Sequence, residues 1–255
     1  MIPGLRRLPV LRAAIDGHDD VIVEEPLELR IEGIAAAVTM RTPGADLDLA
    51  AGFLLTEGVI DGWDDVRALA QISDNVVDVR LREGVPAARA RSADRAMYAT
   101  SSCGICGTAS LDRMPRPRKV GGAWVPEEWA LTTVLAALPT HMPLFSATGG
   151  CHGAALFDRG GTIVNAREDV GRHNAVDKVL GSVLRADGEF EGLALVVSSR
   201  AGFEIVQKAA AAGVGAVVCL GAATSLAADA AAHAGLPLFG WAARGLVRYG
   251  APGSE

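Results

Sequence analysis

"LALVVSS" at residues 193–199, followed by "GFEIVQKAAAAG" at 202–213, is the stretch whose reading decides the fold. The first piece is a continuous apolar run rich in Val and Leu, the pattern of a strand covered on both faces. The second spaces its apolar residues as a helix does and stops at a glycine. The same alternation continues: "AVVCLGA" (216–222) as a strand, "TSLAADAAAHAG" (224–235) as a helix and "PLFGWAA" (237–243) as a strand. Just upstream, "GGCHGAALFD" and "GTIVNARED" predict two short antiparallel strands around the turn Asp158–Gly161, and "VGRHNAVDKVLGSVL" predicts a helix. Strands alternating with helices of these lengths imply an α/β sheet flanked by helices.

The first third has a different character. "VIVEEPLELRI" (21–31) and "IAAAVTMRT" (34–42) alternate apolar and polar residues, as paired half-buried strands do. "ADLDLAAGFLLTEGVI" (45–60) predicts a helix with Asp46 as N-cap, and "NVVDVRLREG" (75–84) returns as a strand. This smaller α+β unit is expected to span residues 1–95, with its first twenty residues a ragged start that lacks the apolar core of a secretion signal. A connecting segment, 96–120, holds two cysteines and the proline-interrupted basic run "MPRPRK". The larger unit, 121–255, opens with the helix "PEEWALTTVLAAL", where Pro126 suits a first turn.

Composition narrows the function classes. The net charge of −6 argues against a general nucleic-acid binder, because neutralising phosphates takes a basic surface. No run of eighteen or more strongly apolar residues is present, so a membrane span is not expected. With four cysteines and no export signal, the expectation is a soluble cytoplasmic protein with reduced thiols.

"SSCGICG" (101–107) sets Cys103 and Cys106 three residues apart between glycines. A structural zinc site would need two further ligands, and a thioredoxin-type pair would need to sit between a strand and a helix; neither context surrounds the motif. The glycines make tight burial difficult, leaving an accessible thiolate that accepts a group and passes it on. Zinc deaminases pair a C-x-x-C with an upstream H-x-E, but none of the five histidines is followed two residues later by glutamate. "SATGGCHG" (146–153) lacks the ending of an ATP phosphate loop and fits a tight turn. In "NAREDVGRHNAVDKVLG", helical spacing puts Asp169, His173 and Asp177 on one face, with Arg172 and Lys178 pointing elsewhere. A helix start this rich in donors suits an anion.

Taken together, "EEPLELRIEG", "GFLLTEGVI", "SSCGICG", "TGGCHGAALFD", "EDVGRHNAVDKVLG", "SSRAGFEIVQKA", "TSLA" and "GLPLFGW" resemble the formate dehydrogenase accessory sulfurtransferase family, FdhD, over nearly the whole chain. "EDVGRHNAVDK" is the most specific of these. The resemblance implies a larger domain like that of cytidine deaminases, a smaller second domain and a homodimer. It also implies an activity: sulfur is taken from a cysteine desulfurase and delivered to a molybdenum (or tungsten) bis(molybdopterin guanine dinucleotide) cofactor destined for formate dehydrogenase. On that basis Cys103 is the persulfide carrier and Cys106 assists or resolves. The guanine end of the cofactor maps onto Trp241, Ala242, Ala243, Arg244, Gly245 and Leu246, with Arg172 and His173 as further cofactor contacts and no resident metal. The chain departs from the family pattern at Ser199, at Ala223 and between Trp241 and Tyr249. A cofactor-binding chaperone without transfer chemistry and a zinc-dependent deaminase-like hydrolase are the alternatives.

Overall fold

The structure is a computed structural model, described here for residues 4–12, 15–85, 117–242 and 245–250. The α/β expectation holds. Its centre is a six-stranded mixed sheet built from β7 (His152–Phe157), β8 (Ile163–Asp169), β9 (Ala194–Val197), β10 (Val217–Cys219), β11 (Leu238–Ala242) and β12 (Gly245–Tyr249). Its order is β12-β11-β10-β9-β7-β8. β9, β10 and β11 run parallel, in register at Leu195–Val217–Leu238, and β7 runs against β9. β12 was not expected from the sequence; it turns back from β11 as an antiparallel edge.

Alternate strand residues face two different layers, as the pleat requires. Ala154, Leu156, Leu195, Val197, Val217 and Leu238 pack beneath the helices α4 (Arg172–Arg185), α5 (Phe203–Ala212) and α6 (Ser225–Ala234). Ala155, Phe157, Ala194, Val196, Val218 and Phe239 face the opposite side. There they meet Leu131, Val134 and Leu135 of α2 (Glu128–Ala137) and Leu138 of the 3-10 turn that follows it. The helices α4, α5 and α6 thus lie on the face opposite α2; the short α3 (Pro143–Thr148) follows the 3-10 turn in the chain. Among the described residues no helix is long and apolar enough to cross a membrane.

The N-terminal part forms a four-stranded sheet of order β4-β3-β6-β5, from β3 (Glu25–Ile31), β4 (Ile34–Arg41), β5 (Val66–Ser73) and β6 (Val76–Leu81). α1 (Asp46–Thr56) covers this sheet with Leu49, Leu54 and Leu55, and its other side packs on α4. Being covered on both sides, α1 is buried along nearly its whole length, which explains an apolar pattern with little amphipathic contrast. Gly52 of α1 and Gly181 of α4 mark the closest approach. A Cβ on Gly52 would overlap the Asp177 carbonyl, and one on Gly181 would overlap the Asp48 carbonyl.

Ion pairs bind the N-terminal part to α4 and α5. Asp169 accepts from the Thr42 backbone N–H at 3.0 Å and pairs with Lys178 at 2.7 Å; Lys178 also donates to the Thr42 carbonyl. Lys208 meets Asp177 at 2.8 Å and Glu57 at 3.2 Å, and Thr56 donates to Asp177. Burial opposes the Lys208 ammonium, but Asp177 and Glu57 outweigh it and raise its pKa. Arg167 and Arg185 converge on Asp48 of α1.

Several sequence expectations are corrected. The described residues among the first twenty are not ragged: β1 (Leu5–Arg12) and β2 (Ile15–Ile22) pair as antiparallel strands. Asp46 is the first helical residue of α1, not its cap; Ala45 is the N-cap, with φ 57° and no side-chain bond. α2 begins two residues after Pro126. Asp169 is not on the helix of His173 and Asp177 but ends β8, because Val170 and Gly171 turn the chain before α4 starts. Lys178 does not point away: it is 2% exposed and bound to Asp169.

Candidate functional site

The carboxyl ends of parallel strands in an open α/β sheet are where ligands usually bind. Here that edge gathers the ends of β8, β9, β10 and β11, the start of β7, and the first turns of α4, α5 and α6. α4 and α5 begin after Gly171 and Gly202 without side-chain caps, whereas Thr224 caps α6 by accepting from the Ala227 N–H at 3.2 Å.

The first turns of α4 and α5 are joined directly. His173 Nε2 lies 2.6 Å from Glu204 Oε2, with both side chains mostly buried. The carboxylate therefore orients the imidazole and fixes which nitrogen carries the shared proton. His152, at the start of β7, lies within electrostatic reach of this pair. Burial first, and then the charges of Arg172 and His173, push its pKa down, favouring neutral imidazole.

Beside His152 opens a pocket of about 350 Å³ lined by Pro139, Met142, Phe145, Gly149 to His152, Ser198 and Leu220. Most of that wall is apolar, and the volume is at the small end of the range for ligand pockets. Local sequence explains the shape. Gly149 ends α3 at φ 65°, a conformation that suits glycine, and so turns the chain into Cys151 and β7. Gly153 lets the Met142 thioether lie against the strand, where any Cβ would collide with it. Ser198 accepts from the Gly153 N–H at 2.9 Å and closes the β9 side.

Trp241 lies at the same edge, near the end of β11 and opposite Leu246 of β12; Ala242 pairs with Gly245. At 44% exposure Trp241 is not a core residue. Leu246, by contrast, packs against the core beneath α2. β11 pairs with β10, after which comes the pocket residue Leu220, while β9, after which comes Ser198, is two strand spacings away, about 10 Å.

The sequence-predicted residues divide clearly. Arg172, His173, Trp241, Ala242, Gly245 and Leu246 occur at this one edge. Cys103, Cys106, Ala243 and Arg244 lie outside the described residues. Among the described residues no three His, Cys, Asp or Glu side chains form a metal-binding group. Sequence reasoning missed Glu204, His152 as the partner of His173's electrostatics, Ser198 and the pocket wall. Glu204 lies inside "SSRAGFEIVQKA", a stretch that carried the resemblance, but its partner is 31 residues away and only the adjacent helix starts bring them together.

Fold and site define an α/β protein with a ligand-sized pocket and an aromatic hairpin at the carboxyl edge of a mixed sheet. The model of the FdhD/NarQ family matches residues 22–248, and the chain belongs to that family. A protein of Streptomyces coelicolor named sulfur carrier protein FdhD is 43% identical over 237 residues, covering 88% of this chain and 84% of the relative. A protein of the same name from Mycolicibacterium paratuberculosis is 42% identical over 253 residues, covering 93% and 92%. The crystal structure of a proposed formate dehydrogenase accessory protein from Desulfotalea psychrophila shares the fold, with a TM-score of 0.75 at 21% identity, covering 98% of this chain and 97% of that one.

Proposed function

We propose that the protein is a persulfide-carrying sulfurtransferase. A cysteine desulfurase loads Cys103, Cys106 assists or resolves, and the sulfur passes to a molybdenum or tungsten bis(molybdopterin guanine dinucleotide), bound as substrate, for use by a formate dehydrogenase. The observation that carries this reading is the similarity to proteins named sulfur carrier over about nine-tenths of the chain. The edge geometry supports it: a pocket, two uncapped helix starts and a half-exposed tryptophan lie side by side, suiting a ligand with a ring system and anionic groups.

Loading balances without an added oxidant. The Cys103 thiolate attacks the sulfane sulfur of the donor persulfide, a new S–S bond forms, and the donor cysteine leaves as thiolate. In this reading the protein works as a cytoplasmic homodimer, which light scattering on purified protein checks.

Incubation with a desulfurase and cysteine is expected to add one sulfur by intact mass, located on Cys103. A Cys103→Ala protein that still takes up sulfur and activates the dehydrogenase refutes the assignment. A Cys103→Ala/Cys106→Ala protein that activates the dehydrogenase without carrying sulfur replaces it with a chaperone role. Stoichiometric zinc on these two cysteines supports the deaminase-like alternative instead.

A further inference from the structure

The pocket wall contains a thiol that the sulfur-carrying reading does not use. Cys151 precedes β7, lines the pocket between Gly150 and His152, and is 4% exposed. Its Sγ lies 3.4 Å from Glu168 Oε1 on the neighbouring strand β8. Glu168 is itself fixed at the start of α3. Its Oε2 accepts the Leu144 N–H at 2.9 Å and its Oε1 accepts the Phe145 N–H at 2.8 Å.

This arrangement suits one protonation state of Cys151. As S–H, it donates to a carboxylate that cannot swing aside. As thiolate, it would be an anion buried beside that same carboxylate. Asp169 at the end of β8 acts in the same sense, Lys178 of α4 acts against it, and His152 adjoins in a form that favours neutrality. Burial, followed by Glu168, pushes the thiol up to about 12. Thiolates, not thiols, attack sulfane sulfur.

We propose that the wall thiol is kept out of sulfur exchange: its burial and the fixed carboxylate of Glu168, a positioning residue, together hold Cys151 as S–H, so sulfur brought to this pocket is not captured by the wall and stays with the motif thiols. This rests on the sulfur-carrying reading above. Capture would require the Cys151 sulfur to attack the sulfane sulfur, form a new S–S bond and expel the carrier cysteine as thiolate. The fixed carboxylate beside Cys151 disfavours the thiolate that would begin that exchange.

Two measurements test this. In a Cys103→Ser/Cys106→Ser/Cys219→Ala protein, Cys151 is the remaining thiol of four, and ultraviolet thiolate absorbance follows its titration without depending on reagent access. The parent is expected to titrate far above an ordinary thiol. Glu168→Gln is expected to raise the thiolate fraction about tenfold at a given pH, equivalent to a shift of roughly one unit. An ordinary titration in the parent, or an unchanged one in Glu168→Gln, overturns the proposal; should the Gln protein not fold, the parent curve decides. In the wild-type protein loaded by a desulfurase and cysteine, peptide mass spectrometry is expected to find sulfur on the 101–107 segment and none on Cys151. Sulfur on Cys151 overturns the proposal. Absence of sulfur on every cysteine defeats the sulfur-carrying reading instead, while the titration separately decides whether Glu168 controls Cys151.

Discussion

Replacing Gly181 with alanine sets two effects against each other, and the structure says which wins. In an exposed helix interior the change would stabilise by about 1 kcal/mol, because alanine has the better helix propensity. Gly181, however, lies where α4 touches α1, and its new Cβ would fall on the Asp48 carbonyl and against the Gly52 N–H. Both obstacles are backbone, so no side-chain rotation relieves the overlap. The helices must part, loosening the packing of a helix pair also held by Asp48 with Arg167 and Arg185. Overpacking of this kind costs about 1–3 kcal/mol, and a backbone obstacle puts it at the upper end. The expected net loss is roughly 2 kcal/mol. For a chain of this size that lowers Tm by about 4–8 °C. Thermal and urea unfolding of the purified variant measure it. A Gly181→Ala protein as stable as the parent would show that the α1–α4 contact is not as close as described.

Lys208→Met leaves Asp177 and Glu57 facing a lost cation and is expected to cost about 3–5 kcal/mol in urea unfolding; a loss below 1 kcal/mol refutes the buried pair. Cys151 makes stability depend on alkaline pH. The unfolded thiol ionises near its ordinary value, about 8.5, while the folded thiol stays protonated up to about 12. The folded state therefore binds more protons in that window, and this contribution, full below it, falls by about 1.4 kcal/mol per unit as pH rises through it. Denaturation curves of wild type and Cys151→Ala should converge with rising pH, and curves that stay parallel refute the shift. Trp241→Ala is expected to weaken binding of a guanine nucleotide about 10- to 100-fold by calorimetry while leaving Tm nearly unchanged, since the indole is half exposed. A large Tm loss with unchanged binding would make Trp241 structural.

The sites that were legible and those that were not differ in sequence separation. His173 stood out because its neighbours are polar and close in the chain. Glu204 did not, because an ordinary glutamate in a first helical turn gives no sign of a histidine 31 residues earlier. Asp169 was assigned to the helix because a 3.6-residue period cannot see that Val170 and Gly171 turn the chain first. Lys178 was expected to point away from the polar face, and only tertiary packing against the Thr42 carbonyl and Asp169 buries it. The β1–β2 strand pair escaped notice because its strands are rich in charge and lack a clean alternation.

Local pattern was enough to establish the α/β class, the alternation of strands and helices from β7 to β11, and the family, since period and motif are properties of neighbouring residues; the short α3 and the edge strand β12 were not legible in it. Which strand ends share an edge, which carboxylate holds His173 and which one keeps Cys151 protonated are relations across the sheet. They arise when parallel strands bring distant helix starts to one side, and no periodicity along the chain encodes them.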